Sequence, residues 1–149
     1  MFSVSVKVTG KQGLSNIALP KALSLWESEI APAVLAEIRR RAPISPTENG
    51  GRLRDSINVT RRSTAGGLEA RFTSSAPYAR YVEEGTAPHR IEPRQALALH
   101  WQDRGRNVFA ARVNHPGTKA NPFVRNAIQS MLPLMKQRLR TKAEQEFTP

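Results

Sequence analysis

Three histidines, His89, His100 and His115, are the only imidazoles in the chain, and there is no cysteine. Metal ligation would need such donors in compact pairs, as in H-E-x-x-H along one helix face. These spacings match no such motif, and His89 and His115 stand beside prolines in turn-like sequence. Glu83-Glu84, close to His89, is the one local acid–base grouping. On a helix, adjacent positions point about 100° apart, so these carboxylates would not converge on one substrate as general acid–base catalysis requires. The expectation is one glutamate paired with an arginine and the other solvated. Gly50-Gly51-Arg52 and Gly66-Gly67 lack the G-x-x-x-x-G-K-[ST] spacing of a phosphate loop. Arg39-Arg40-Arg41 and Arg61-Arg62 read as a helix end and a strand surface. No catalytic residue, cofactor site or metal site is expected.

A chain of 149 residues is most simply one domain, able to bury roughly 70% of the surface its unfolded form exposes. The apolar fraction of 39% is low for a globular protein, so part of the chain should be loop or partner-facing surface. The absence of cysteine rules out disulfides and fits a reducing cytoplasm. No signal-peptide run opens the sequence, and nothing approaches the ~20 apolar residues of a membrane span, so no membrane partner is expected. The net charge of +11 is spread along the chain. That suits a broad field toward a polyanion or an acidic protein face better than a clustered DNA-reading arm.

The elements that must position these residues follow from periodicity. Phe2, Val4, Val6 and Val8 alternate with polar residues, a strand period closed by Gly10. Gly13 to Pro20 reads as a loop. Leu23, Trp26, Ile30, Val34 and Ile38 recur at helical steps, with Pro32 predicting a kink or restart and Ala42-Pro43 closing the helix. Residues 44–51 hold several breakers and read as a mobile loop or an extended excursion. Leu53, Ile57 and Val59 lead into a strand, and residues 68–73 alternate again across Gly66-Gly67, which predicts a hairpin. Ser74-Ser75-Ala76-Pro77 is a helix start, and Gly85 is placed to end that short helix in the left-handed region. Residues 97–101 and 108–113 read as a second hairpin around Gly105, followed by a turn at His115-Pro116-Gly117. Asn121-Pro122 is the strongest helix start, with cap residue then proline at the first helical position, and the helix should reach about Glu146. Its stripe is Val124, Ile128, Met131, Met135 and Leu139, and Pro133 predicts a kink.

Four blocks in order carry a resemblance: Ala42-Pro43; Gly51-Arg52-Leu53-Arg54-Asp55-Ser56-Ile57; Pro77-Tyr78-Ala79-Arg80-Tyr81-Val82-Glu83-Glu84-Gly85-Thr86; and Pro122-Phe123-Val124-Arg125-Asn126-Ala127. Over roughly residues 23–139 the chain resembles the tail-completion, or head–tail joining, family of long-tailed bacteriophages. Its loop Ile44–Gly50 is longer than is common in the family. The resemblance implies an α+β fold, with long helices packed on a mostly antiparallel sheet in a single domain of residues 1–149 with extended loops. It also implies a non-enzymatic neck protein of the virion, assembled in the host bacterial cytoplasm. Such a protein forms a ring, a hexamer in this reading, that caps the tail tube and docks it to the head connector. The partners implied are further copies of the chain, the tail tube or terminator, the head connector, and genomic DNA passing without sequence-specific contact.

On this reading Arg52, Arg54, Asp55, Glu83, Gly85, Thr86 and Arg125 are candidate contacts to neighbouring subunits or partners. The Ser45–Gly51 loop and the Glu84–Pro93 segment would present them. Tyr78, Tyr81, Pro122 and Phe123 are expected in the core of the motif. Gly85, Thr86 and Pro122 should matter for geometry, and so for assembly, before any reaction. Two rival functions remain: a basic nucleic-acid-binding module of phage origin, and a small hydrolase using His89 or Glu83.

Overall fold

A computed structural model of the chain describes residues 2–9, 24–44, 52–64 and 67–146. The expected loops at 13–20 and 45–51, and the glycine at position 66, lie outside these. The elements in order are β1 (Phe2–Thr9), a π-helical turn (Trp26–Ile30), α1 (Ala31–Arg41), α2 (Arg52–Asp55), β2 (Ile57–Thr64), β3 (Gly67–Ser74), α3 (Ala79–Glu84), β4 (His89–Ile91), β5 (Leu99–Asp103), β6 (Arg106–Ala110), β7 (Val113–His115) and α4 (Phe123–Glu146). The fold class is mixed α+β with small antiparallel sheets. Of the long helices expected, only α4 is long, at 24 residues, or about 36 Å. The chain divides into two compact units, residues 1–80 with 122–149, and residues 81–121.

In the first unit the sheet order is β1-β3-β2, antiparallel throughout. The register runs from Phe2↔Ser74 to Thr9↔Gly67 and from Ile57↔Ser74 to Thr64↔Gly67. Side chains alternate across a strand, so β3 buries Leu68, Ala70, Phe72 and Ser74 on one face. Val59 of β2 and Val4 of β1 stand opposite Phe72.

Against this sheet, α1 and the preceding turn bury Trp26, Ile30, Val34 and Ile38, the helical stripe read from the sequence. Helix α4 supplies Phe123, Val124, Ala127, Met135 and Leu139, and α1 contacts both α4 and β2. Pro32 acts as a restart: the π-helical turn ends at Ile30 and the α-helix begins with proline in its first turn, where its missing N–H is not needed. Helix α4 runs on through Pro133, which has no N–H for the Gln129 carbonyl.

Polar ties set the strand ends. The Arg39 guanidinium donates to the Ile57 carbonyl from Nε at 3.2 Å and Nη2 at 2.7 Å, joining the end of α1 to the start of β2. Ala76 N–H donates to Ser74 Oγ at 3.2 Å, and Ser56 Oγ donates to the Leu53 carbonyl at 2.7 Å. The Ser56 proton is thereby committed, so the 2.7 Å contact between the two hydroxyls must be donated by Ser74. Residues 74–77 were expected to cap a helix directly. Instead the Ser74 hydroxyl holds a turn, and α3 begins later, at Ala79.

Within α1, Glu37 accepts from Arg40 Nε and Nη2, both at 2.8 Å, and from Arg41 Nε at 2.6 Å. The Arg40 bonds, then those of Arg41, hold its carboxyl down to about 2 from 4.5. A carboxylate with a lowered folded-state pKa stabilises fully above its unfolded value and loses that contribution as pH falls through the folded one. Urea midpoints should therefore decline from pH 4.5 toward about 2. Glu37→Gln should flatten part of that decline and lower the midpoint at pH 7 by the same small amount, since solvent screens such a surface pair. Glu69, held down chiefly by Arg62 at 2.7 Å, accounts for some of the remainder.

Candidate interaction surfaces

The two segments that hold most of the sequence motifs are stitched together. Thr86 and Thr118 form an isolated antiparallel bridge. Thr86 N–H donates to the Thr118 carbonyl at 2.9 Å, and Thr118 N–H donates to the Thr86 carbonyl at 3.1 Å and to Thr86 Oγ1 at 2.9 Å. Asn121 N–H donates to the Val82 carbonyl at 2.9 Å. Beside the bridge, β4 pairs with β7 in the register His89↔His115.

Two glycines make this approach feasible. Gly85 closes α3 with φ +75°, its N–H donating to the Tyr81 carbonyl at 2.9 Å, as its position in the sequence predicts. A Cβ there would lie 2.5 Å from the Thr118 carbonyl oxygen and 2.7 Å from Ala120 N. Gly117, at φ +88°, is locked the other way: a Cβ would collide with the Thr86 carbonyl oxygen and lie 2.9 Å from the Ala87 carbonyl carbon. The sequence indicates a turn at Gly117 but not that the turn rests on Thr86.

His89 and His115 face each other with ring centroids 5.0 Å apart. Gly117 N–H donates to His115 Nδ1 at 3.0 Å, so that nitrogen is the acceptor and the proton of the neutral ring sits on Nε2. His89 Nδ1 lies 3.0 Å from the Ala87 carbonyl, which requires it to be the protonated nitrogen. Both imidazoles thus brace loop backbone. Among the described residues no three of His, Cys, Asp and Glu come together.

The other candidate residues are placed as follows. Arg52 and Asp55 are exposed on α2, and Arg125 is exposed on α4. Arg54 is half-buried, and its Nε has no hydrogen-bond acceptor among the described residues. Glu83 is only 5% exposed, so it is not available at the surface where a subunit-contact role would put it. Phe123 is buried as expected. Pro122 is half-buried one residue before α4, its carbonyl accepting the Asn126 N–H at 2.9 Å. It thus occupies the cap position expected of Asn121.

Tyr78 and Tyr81 are corrections. They were expected in the core but are 43% and 59% exposed. The i, i+3 spacing of the tyrosines marks a helix face, but the buried positions are Ala76, Ala79 and Glu83. Small alanines allow close backbone approach and give little apolar signal in a sequence.

In the second unit, β5 and β6 form a two-stranded hairpin in the register Leu99↔Ala110 to Asp103↔Arg106. Arg104 and Gly105 both have positive φ, 48° and 79°, the signature of a type I′ turn. His100 stacks on Phe109 across the strands at 4.7 Å, and its Nε2 lies 3.1 Å from Asn107 Oδ1. Along β2 and β3, Thr60, Arg61, Arg62, Glu69 and Arg71 line a hollow. There Glu69 is held by Arg62, with Arg71 3.7 Å away.

The described chain is a mixed α+β fold with short antiparallel sheets and braced loops. Residues 21–85, a little under half of the chain, match the family model HK97-gp10_like, described as "Bacteriophage HK97-gp10, putative tail-component". The matched segment spans the first three of the four blocks, as far as Gly85, and agrees with the resemblance they carry. A phage tail component is a virion protein that works against other virion proteins. No curated protein and no solved structure matches the chain.

Proposed function

We propose that the chain is a ring-forming subunit of the phage neck that caps the tail tube and helps dock it to the head connector. The observation that carries this reading is the match of residues 21–85 to a phage tail component. Two features support it. The second unit has only two-stranded sheets, which are marginal alone and suit completion by a neighbour. Large apolar side chains, Tyr78 and Tyr81 among them, lie exposed, as they do at protein interfaces. Repeated head-to-tail contacts of one such surface close into a ring when the rotation allows; six copies is the order the resemblance implies. Arg52, Asp55, Thr86 and Arg125 are the proposed subunit or partner contacts, together with the segments 45–51 and 84–93. The positive charge would give passing DNA a sequence-independent field.

In-vitro complementation tests this. Purified chain added to extracts of a phage mutant lacking it should join separate heads and tails into complete particles. Unjoined heads and tails despite folded protein would count against the neck role. The basic charge favours one rival, a nucleic-acid-binding module. Tight duplex binding by the monomer at ~200 mM salt would favour it, because charge-driven binding alone should be weak there.

A further inference from the structure

The β5–β6 hairpin carries an unusual pairing of cation and apolar surface. Leu97 is 102% exposed, Phe109 67% and Trp101 40%. Arg94, Arg104, Arg106 and Arg112 lie exposed in the same stretch, against a single acid, Asp103. Among the described residues, none of these four arginine side chains has an ion pair or hydrogen bond. The hairpin forms a sheet of its own, so each strand has one unpaired edge. Exposed edges and apolar side chains of this kind are a liability unless something covers them.

The chain's own charges indicate what that is not. Glu29, Glu37, Glu69, Glu92 and Glu144 are each held by an arginine of the same subunit, and Glu83 is buried. Edge strand β2 is itself basic, with Arg61 and Arg62 exposed. A second copy carries the same net charge of +11, so on balance it repels the hairpin's arginines rather than receiving them. Duplex DNA would answer the arginines but not the apolar residues: its bases are stacked inside, and aromatic side chains need unpaired bases to stack upon. Leu97 and Phe109 would stay in water.

We infer that the hairpin is a docking arm for a different protein, one that presents an acidic strand edge with an apolar centre. Strand addition would satisfy an open edge with main-chain hydrogen bonds, carboxylates would meet Arg104 and Arg106, and apolar side chains would cover Trp101 or Phe109. This chemistry does not depend on whether the subunit closes into a ring.

Trp101 supplies the readout, since the other tryptophan, Trp26, is buried. The probe is a synthetic strand peptide alternating valine and glutamate, titrated into the full chain and followed by tryptophan emission. The expected result is a saturable blue shift that disappears in Trp101→Phe. It should be absent with a valine–lysine peptide and weakened at least about tenfold by Arg104→Glu with Arg106→Glu. Arg104→Asn guards against a folding artefact. It creates the Asn-Gly pair that type I′ turns prefer, so the hairpin is kept while a charge is lost; affinity should still fall. No response to the acidic peptide would overturn the inference. So would an equal response to duplex DNA, or a shift with protein concentration alone, which would indicate self-association.

Discussion

Replacing Gly85 with alanine is expected to destabilise the protein by about 3 kcal/mol or more. Two effects add. The left-handed backbone at φ +75° costs a non-glycine residue about 1–3 kcal/mol. The new Cβ would also press on the Thr118 carbonyl oxygen at 2.5 Å and on Ala120 N at 2.7 Å. Both are backbone atoms, the Thr118 carbonyl being held by the Thr86–Thr118 bridge, so neither can swing aside as a flexible side chain would. Gly117→Ala should behave alike, because its Cβ meets the Thr86 carbonyl from the other segment. Gly105 provides the control. Its φ is +79°, yet a Cβ there has no neighbour within 4 Å, so Gly105→Ala should cost only the conformational penalty of about 1–2 kcal/mol. Urea unfolding of the three variants ranks them, and amide exchange at Thr86 and Thr118 locates the damage. Equal costs at Gly85 and Gly105 would mean that the two segments are not interlocked.

Trp26→Ala should cost about 3–5 kcal/mol, the range for deleting a large buried aromatic. That is a large share of a stability of about 5–15 kcal/mol, so the variant should lose much of its folded population on modest heating. Trp26→Phe should cost less than half as much. The reason is specific to this site: among the described residues, the buried indole Nε1–H has no hydrogen-bond acceptor. Phenylalanine keeps most of the apolar volume and removes an unsatisfied donor, a group whose burial costs about 1–3 kcal/mol. Comparable losses for the two substitutions would show that the indole N–H is satisfied after all. Thermal and urea unfolding of both variants make the comparison.

What could be read from the residues follows the range of the interactions. The alternation of Phe2, Val4 and Val6, the stripe Trp26–Ile30–Val34–Ile38, the left-handed Gly85 and the helix start near Pro122 are local patterns, and each is found in the structure. So are both hairpins, because their strands are close in sequence and joined by short turns. Features that depend on distant partners were not legible. β4 and β7 are three residues each, too short for a period, and pair across a long separation. The Thr86–Thr118 bridge leaves no pattern at all. The four-residue helix α2 is shorter than any hydrophobic repeat. Tyr78 and Tyr81 misled because apolar spacing marks a face without saying which way it points, and the alanines behind them carry no comparable signal. Glu83 misled because carboxylates are rarely buried. The candidate surface was therefore half legible: its loops and glycines were visible, and their mutual locking was not. The exposed aromatic and arginine residues of the β5–β6 hairpin were read only as strand and turn.

The central claim, that the chain builds a ring on a phage tail tube, is tested most directly by the mass of the assembled species. Light scattering or native mass spectrometry should be run on the purified chain alone and after mixing with tail tubes. The expected result is one discrete multimer, alone or on the tubes, with Gly85→Ala reducing its yield. A strict monomer in both settings would contradict the claim.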